Sequence, residues 1–403
     1  MKRCNCALAL FLAVSISICC RAAELAPPQH PLELRDGERI AFVGGTFIER
    51  LQSFGYLESL LTAANPDRQL CFRNLGWSGD TVWGEARAVF GAPHDGFQRL
   101  LKDLRQTEPT LVYVAYGANE AHAGEEGLET FKGGLTRLLD ALAQIQPRIV
   151  LVSPLKRENL GPPLPDQRVY NRNVKVYADT IAAEAKARNL AHVDLLDLVG
   201  SDSGEVVSGA EQFTDNGLHL SPYGQWKLAP AIAARLTGSE PTAKNVIEID
   251  GAKALATGKV SITAKRLPLA TAPPHSPADA PDVAAPVSLR ISGLPGGEYD
   301  IRIDGKTALL ATAAQLAAGV PLPGEPNLAQ EAKLRDVIAA KNELFFHRHR
   351  PQNETYLFLF RRGEQGNNAV EIPQFDPLIE EQEKEIAALR VPQPHEFEII
   401  RAN

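Results

Sequence analysis

The sequence predicts an α/β protein in which a doubly wound parallel sheet forms the middle layer of a three-layer α/β/α fold. Two observations predict this class. Five short apolar runs lie between residues 39 and 196, and segments with helical periodicity separate them. Runs of this length and composition are typical of strands buried on both faces of a parallel sheet. Strands that alternate with helices predict a parallel sheet covered by helices on both faces.

The predicted elements follow one another regularly. The strands are Arg39–Val43, Leu70–Asn74, Leu111–Tyr116, Arg148–Ser153 and His192–Leu196. The helices are Gln52–Ala64, Gly96–Gln106, Thr130–Gln144 and Asn171–Arg188. Leucines of the third helix recur at the spacing of one helix face, which predicts that this face packs on the sheet.

The chain has 403 residues, which is long for one domain. We predict an α/β domain over 23–240, because the pattern changes near residue 240. A small β-rich module over 241–320 follows, with a Pro- and Ala-rich loop and a hairpin at Pro295-Gly296-Gly297. Residues 321–403 read as a helical, polar arm. Its aromatic residues predict that it packs on the α/β domain.

The first 22 residues resemble a signal peptide. Lys2 and Arg3 precede an apolar run, Ala7–Ile18, and small residues follow the run. The run has 12 residues and is too short to span a bilayer comfortably. We therefore expect export to a periplasmic or extracellular location, with no stable membrane span after cleavage. An uncleaved anchor, or a lipoprotein modified at Cys19 or Cys20, is the alternative.

Composition narrows the classes of partner. The formal net charge is −7 and long basic runs are absent, which argues against nucleic acid as a partner. After cleavage Cys71 would be the only cysteine, so an intrachain disulfide would be excluded. We expect Cys71 to be a buried structural thiol.

Four polar segments that contain glycine suggest where the chemistry lies. They are Gly44-Gly45-Thr46, Asn74–Thr81, Gly117–Glu120 and Asp215–Leu220. The first three follow predicted strands directly. Ligands of open α/β sheets bind at the carboxyl ends of the strands, so we expect these segments to converge.

In order and content these segments resemble the four motif blocks of SGNH, or GDSL-type, hydrolases over residues 39–238. The resemblance implies a flavodoxin-like SGNH fold, ester hydrolysis without a cofactor, and a small-molecule or polysaccharide ester as substrate. It also implies that Thr46 is the nucleophile and His219 the base. Gly79 and Asn119 would donate hydrogen bonds to the oxyanion.

Two positions depart from the family pattern. The family has Ser where this chain has Thr46, and Asp three residues before the histidine where this chain has Asn216. Asp215 is adjacent, so either residue is a candidate to orient His219. The γ-methyl of Thr46 restricts its rotamers and crowds its hydroxyl. Two functions stay open: an esterase, such as a carbohydrate O-acyl esterase, and a non-catalytic carbohydrate- or cell-wall-binding protein.

The candidate residues also have structural interpretations. Thr46 could cap a helix with Glu49, and Asn119 could cap the helix that follows it. Ser78 and Ser153 are alternative nucleophiles that fit turn hydrogen bonds better.

We further expect substrate contacts from Trp77 and Glu120, and from a lid formed by the C-terminal arm. The candidates on the lid are Arg350, Asn353 and Asn367. His347 and His349 lack nearby ligand partners in the sequence, so no metal site is predicted.

Overall fold

The computed structural model describes residues 32–238, 246–263, 276–278, 287–323, 328–364, 366 and 368–402. Five parallel strands form its main sheet, in the order β2-β1-β3-β4-β5. They are β1 (Glu38–Gly44), β2 (Leu70–Asn74), β3 (Leu111–Ala115), β4 (Arg148–Val152) and β5 (Ala191–Val193). Each of the five predicted strands is present, and the predicted fold class is confirmed.

Helices cover both faces of this sheet. They are α1 (Thr46–Leu51), α2 (Tyr56–Ala64), α3 (Pro93–Thr107), α4 (Leu128–Ile145), α5 (Arg168–Ala187) and α6 (Pro222–Thr237). The side chains of α1, α2 and α6 join one buried apolar cluster, and those of α3, α4 and α5 join another. The helix predicted over 52–64 begins only at Tyr56, as α2, because Gly55 with φ +64° precedes it. The helix α1, over Thr46–Leu51, was not predicted.

The C-terminal module contains two small sheets. Its elements are β6 (Val246–Asp250), α7 (Gly251–Thr257), β7 (Val260–Ile262), β8 (Ser288–Ser292), β9 (Glu298–Ile303), β10 (Lys306–Thr312), α8 (Ala313–Ala318), β11 (Val320–Pro321) and β12 (His395–Arg401). The strand orders are β10-β9-β12-β7 and β11-β8-β6.

The prediction of a hairpin at Pro295-Gly296-Gly297 is wrong. The strands on either side of this segment, β8 and β9, lie in different sheets. The hairpin pairs β9 with β10 instead, and its turn uses Asp304 and Gly305 at positive φ. The last strand, β12, lies within the predicted arm, 321–403. It pairs with β9 and therefore belongs to the β-rich module instead. Sequence order hides this pairing, because almost 100 residues separate the two strands.

The arm is helical and lies against the main sheet domain. Its helices are α9 (Leu328–His349), α10 (Glu354–Leu357) and α11 (Phe375–Leu389). The fully buried ammonium of Lys341 donates to the Glu58 carboxylate at 2.6 Å and to the Phe72 carbonyl at 3.1 Å. These bonds attach α9 to α2 and β2. Within the described ranges, every helix is too short or too polar to cross a bilayer.

Cys71 lies where α11 meets β2. Its thiol is partly buried and lies 3.7 Å from the Glu383 carboxylate, and burial raises its pKa to about 11. A thiol with this pKa stays protonated at neutral pH, as expected of a structural cysteine.

Candidate active site

Thr46 stands where β1 turns into α1, at the carboxyl edge of the sheet. The turn requires glycine at position 44, because a Cβ there would lie 2.4 Å from the Ala115 carbonyl oxygen. The Thr46 hydroxyl accepts a hydrogen bond from the Gly79 N–H at 3.2 Å. Gly45, and not Thr46, is the N-cap of α1, and the Glu49 carboxylate accepts from Ser78 instead. The capping-box interpretation of Thr46 is therefore wrong.

Two hydrogen-bond donors flank the Thr46 position. Gly79 has φ +77°, a conformation that glycine adopts without strain, and this turn directs its N–H at Thr46. A Cβ on Gly79 would meet no described atom within 4 Å, so conformation rather than space requires glycine here. The Asn119 amide nitrogen donates to the Asp80 carbonyl at 2.7 Å. It lies 3.5 Å from where a Cβ on Gly45 would be.

Asn216, rather than Asp215, contacts the His219 ring. Asn216 Oδ1 accepts the N–H of Leu218 at 3.1 Å and of His219 at 2.9 Å. Two backbone donors thus fix the amide orientation and leave Asn216 Nδ2 3.3 Å from His219 Nδ1. An amide nitrogen only donates, so neutral His219 accepts at Nδ1 and carries its proton on Nε2.

Asp215 has a different role. Its backbone N–H donates to the His219 carbonyl at 2.9 Å, and its half-exposed carboxylate lies 3.8 Å from Arg50. Partial burial and the positive charge of Arg50 lower the pKa of His219, while the charge of Asp215 opposes them. The imidazole is therefore neutral at pH 7.

Glu158 braces the loop that carries His219, and sequence reasoning missed it. Its buried carboxylate accepts from the N–H groups of Phe213 and Thr214, each at 2.8 Å, and from the Thr214 hydroxyl. Burial raises the pKa of Glu158. Only its position in the sequence, shortly after β4, indicates a role near the site, because ligands of open α/β sheets bind in the loops at the carboxyl ends of the strands.

Thr46, Asn119 and His219 line one cavity of ≈ 60 Å³. Phe47, Leu155 and Leu218 supply much of its apolar wall. Among the described residues, the Thr46 hydroxyl has the Gly79 N–H as its hydrogen-bond partner and makes no hydrogen bond to His219. The chain therefore brings the nucleophile position, an oxyanion donor and the imidazole into one pocket, without a preformed bond between Thr46 and His219.

The predicted substrate-binding residues divide into two groups. Glu120 lines the cavity, but its carboxylate accepts the N–H groups of Val82 and Gly117, each at 2.9 Å. Ser153, one of the alternative nucleophiles, also lines it, and its hydroxyl donates to Asp194 and accepts the Leu195 N–H. Both side chains thus support the loops.

Trp77 and Arg350 lie outside the lining of this cavity. Trp77 is buried, with the Arg350 guanidinium 4.0 Å and that of Arg99 4.8 Å from its ring centroid. Arg350 also pairs with Glu49 at 2.5 Å. Asn353 is exposed before α10 and does not line the cavity, and Asn367 lies outside the described residues. The arm therefore contacts α1 and Trp77 through Arg350. Neither Arg350 nor Asn353 lines the cavity, and their contacts with a substrate stay a prediction.

The described residues contain no group of three or more His, Cys, Asp or Glu side chains that could hold a metal ion. His347 and His349 lie in the last turn of α9.

Residues 49–227 match the model of the GDSL-like Lipase/Acylhydrolase family, a range that contains Gly79, Asn119 and His219 and begins just after Thr46. The fold is similar to that of a gut microbial diltiazem-metabolizing enzyme, with 13% identity and a TM-score of 0.67. That match covers 92% of this chain and 99% of the enzyme.

Two further solved structures match about half of this chain. A catalytic mutant of an acetylxylan esterase from Geobacillus stearothermophilus is 21% identical, with a TM-score of 0.41 over 52% of this chain and 99% of that one. A GDSL-like lipase from Bacteroides thetaiotaomicron is 16% identical, with a TM-score of 0.37 over 50% of this chain and 86% of that one. The comparison with curated proteins gave no match.

Proposed function

We propose that the chain hydrolyses esters with Thr46 as nucleophile, on the premise that residues 49–227 match the model of the GDSL-like lipase/acylhydrolase family. One observation carries the proposal. The Thr46 hydroxyl, the Asn119 amide and the His219 ring line the same cavity, and the Gly79 N–H already reaches the Thr46 oxygen. Each oxyanion donor is typically worth about 2.7–4 kcal/mol of barrier.

The reaction divides into two transfers. Thr46 Oγ1 attacks the acyl carbon while its proton passes to His219 Nε2, and the developing oxyanion takes the Gly79 N–H and the second Asn119 amide hydrogen. The C–O bond to the alcohol then breaks, and His219 protonates the leaving oxygen. His219 then takes a proton from a water molecule, whose oxygen attacks the acyl carbon of the acyl-Thr46 ester. The bond from this carbon to Thr46 Oγ1 breaks, His219 returns the proton to Oγ1, and the acid is released. The first Asn119 amide hydrogen stays on the Asp80 carbonyl and holds the donor in place.

Asn216 should lower the rate of hydrolysis, because it disfavours the His219 tautomer that can accept the Thr46 proton. His219 acts as a base only when Nε2 is free, and this tautomer puts a proton on Nδ1, where it faces the Asn216 amide nitrogen. A lost neutral hydrogen bond costs about 0.5–1.5 kcal/mol, so only about a tenth of the neutral molecules would hold the reactive tautomer. The γ-methyl of Thr46 adds a steric penalty.

The proposed substrate is a short-chain acyl ester of a carbohydrate. The small volume of the cavity, ≈ 60 Å³, favours an acyl group such as acetyl. The polar side chains of Arg50, Asp215 and Arg157 surround His219 and would suit the hydroxyls of a sugar alcohol.

Turnover of p-nitrophenyl acetate tests the proposal in the wild type, Thr46→Ala, His219→Ala and Ser78→Ala. We expect the first two substitutions to reduce the rate to background. Ser78→Ala is the matched control, because its hydroxyl bonds to Glu49 outside the cavity. A wild-type rate equal to that of Thr46→Ala would contradict the proposal.

The second candidate is a binding protein that retains the cleft without hydrolysis. The observation that favours it is the contact of Asn216 Nδ2 with His219 Nδ1, which leaves the ring proton on Nε2, where it would bind a ligand rather than accept a proton. If equal rates in all variants accompany binding of an acetylated xylo-oligosaccharide that His219→Ala weakens, this second function is correct.

We also propose that the chain is exported and cleaved near residue 22. The support is the charged start, apolar run and small residues at 1–23, which lie outside the described residues. N-terminal sequencing of protein expressed with its native leader would test it, and an intact Met1 in the recovered protein would contradict cleavage.

A further inference from the structure

A second cavity, of ≈ 440 Å³, lies between α3 and the C-terminal arm. We name it the arm cavity and define it by the lining residues Arg87, Val89, Asp103, His349 and Phe358. It shares no lining residue with the cavity at Thr46. Its volume falls in the range of about 300–1,000 Å³ typical of small-molecule sites.

Three deeply buried side chains in this wall have a polar atom without a hydrogen-bond partner among the described residues. These atoms are Arg87 Nη1, Asp103 Oδ2 and His349 Nε2. Each of the three residues is more than nine-tenths buried. An unpartnered buried polar group costs about 1–3 kcal/mol, so three around one cavity indicate that something polar binds there.

The donor and acceptor roles of these atoms follow from their other bonds. His349 Nδ1 lies 3.0 Å from the Phe345 carbonyl and must carry the proton, so Nε2 is an acceptor. Burial lowers the pKa of His349 to about 3 and keeps the ring neutral. Asp103 Oδ2 is a second acceptor, and Arg87 Nη1 is a donor. A ligand must therefore both donate and accept hydrogen bonds, as hydroxyl groups do.

The buried charges around the arm cavity lie close to charges of opposite sign. Arg87 Nε lies 2.6 Å from the Asp80 carboxylate. Arg99 pairs with Glu354 and lies 3.8 Å from Asp103. An anion would meet Asp103 and Glu354, and a cation would meet Arg87 and Arg99, so a neutral ligand fits best.

Exposed aromatic rings lie beside the cavity. Phe358 lines it and is 47% exposed. Phe90, next to Val89, and Phe360 are 72% and 75% exposed, and their ring centroids are 5.9 Å apart. Large apolar rings are seldom left in water without a reason when they cluster. Together with the buried polar atoms, they match a ligand with apolar C–H faces and hydroxyl edges.

We propose that the arm cavity is a binding site for a neutral mono- or disaccharide, with the sugar hydroxyls bound to Arg87, Asp103 and His349 and a sugar face on Phe358. This site does not depend on the ester hydrolysis proposed above, because the two cavities have separate walls.

Saturation-transfer NMR titrations with xylobiose and cellobiose test the site on the full chain. We expect at least one of the two to bind the wild type, and Asp103→Asn and Phe358→Ala each to weaken that binding at least fivefold. Ala369→Trp should abolish it by filling the cavity from its wall, without removing a buried polar group. This variant keeps the test decisive if Asp103→Asn does not fold.

Two controls separate this site from other surfaces. His219→Ala alters the Thr46 cavity, and Leu310→Ala removes an exposed apolar side chain of the C-terminal module. Both should bind the disaccharide as the wild type does. Three results would overturn the proposal: no transfer to either disaccharide, binding unchanged by Ala369→Trp, or displacement of the sugar by inorganic phosphate at equal concentration.

Discussion

The cavity at Thr46 and the arm cavity differ in how their polar atoms are satisfied. Around Thr46 the cavity is small, ≈ 60 Å³, and side chains such as Asn119, Glu120 and Ser153 are held by bonds within the protein. Around the arm cavity, of ≈ 440 Å³, three buried polar atoms have no hydrogen-bond partner among the described residues. Bonds within the protein therefore fix the side chains around Thr46 before a substrate binds. The arm cavity instead leaves polar atoms with which a ligand could form hydrogen bonds.

This difference shows which single residues control each site. Around Thr46, where Asn119, Glu120 and Ser153 are bonded within the protein, a substitution such as Asn216→Asp changes function. It replaces an amide with a carboxylate and leaves the packing intact. In the arm cavity, function depends on atoms that the fold leaves unpaired. The general reason is that a satisfied polar network is rigid, whereas an unsatisfied group gains free energy only when a ligand binds.

Arg87 connects the two cavities. Its Nε bonds to the Asp80 carboxylate, and the Asp80 carbonyl holds the Asn119 amide. Its Nη1 is unpartnered in the wall of the arm cavity. One buried guanidinium therefore positions an oxyanion donor and lines the second site.

Arg87→Met should have the largest effect, because it leaves the buried Asp80 carboxylate without its cation. Breaking a buried pair in this way typically costs about 3–5 kcal/mol of unfolding free energy. Urea denaturation measures the loss, and esterase activity should fall with it as the Asp80 loop loosens. Arg168→Met is the control, since its pair with Asp166 is exposed and its removal should leave the midpoint unchanged. A loss below about 1 kcal/mol would disprove the link.

Asn216→Asp should raise p-nitrophenyl acetate turnover by about 100-fold. One carboxylate oxygen would keep the two backbone N–H bonds, and the other would accept a proton from Nδ1 and free Nε2 as the base. In a serine protease triad the reverse exchange costs about 10⁴-fold, and the Thr46 methyl should limit the gain here. Asp215→Asn is the matched control and should leave turnover within about twofold, because that carboxylate does not touch the ring. No gain in Asn216→Asp would favour the binding protein.

The sheet could be predicted from sequence because its strands are short apolar runs that local composition reveals. The convergence of the Thr46, Gly79 and Asn119 segments followed from their places after successive strands. The orientation of the Asn216 amide could not be predicted, because it depends on the hydrogen bonds that the N–H groups of Leu218 and His219 donate to Asn216 Oδ1. The position of β12 and the arm cavity also depend on contacts between residues more than 90 positions apart, which no local pattern encodes.

Asp103→Asn should stabilise the protein at pH 7.5. Burial raises the pKa of Asp103 to about 6 despite Arg99 and Arg87. The folded state therefore binds more protons than the unfolded chain between about pH 4 and 6, and stability falls as pH rises through this window. At about 1.36 kcal/mol per pKa unit, the amide should gain on the order of 3 kcal/mol at pH 7.5 and flatten this slope. Urea midpoints at pH 4.5 and 7.5 test it, and parallel curves for the two proteins would refute it.

The smallest expected effect is a displacement of the acid limb of kcat/KM by less than about one pH unit. The base must be neutral, so activity falls as pH drops through the pKa of His219. Burial and Arg50 lower this pKa, so the wild-type limb should lie below pH 6.5. Arg50→Gln removes a positive charge while Asp215 remains, and the limb should move to higher pH. Lys227→Gln, at a site outside the cavity wall, should leave the limb in place. If Arg50→Gln does not move the acid limb of kcat/KM, a group other than His219 titrates there. His219 would then not be the base of the Thr46 cavity.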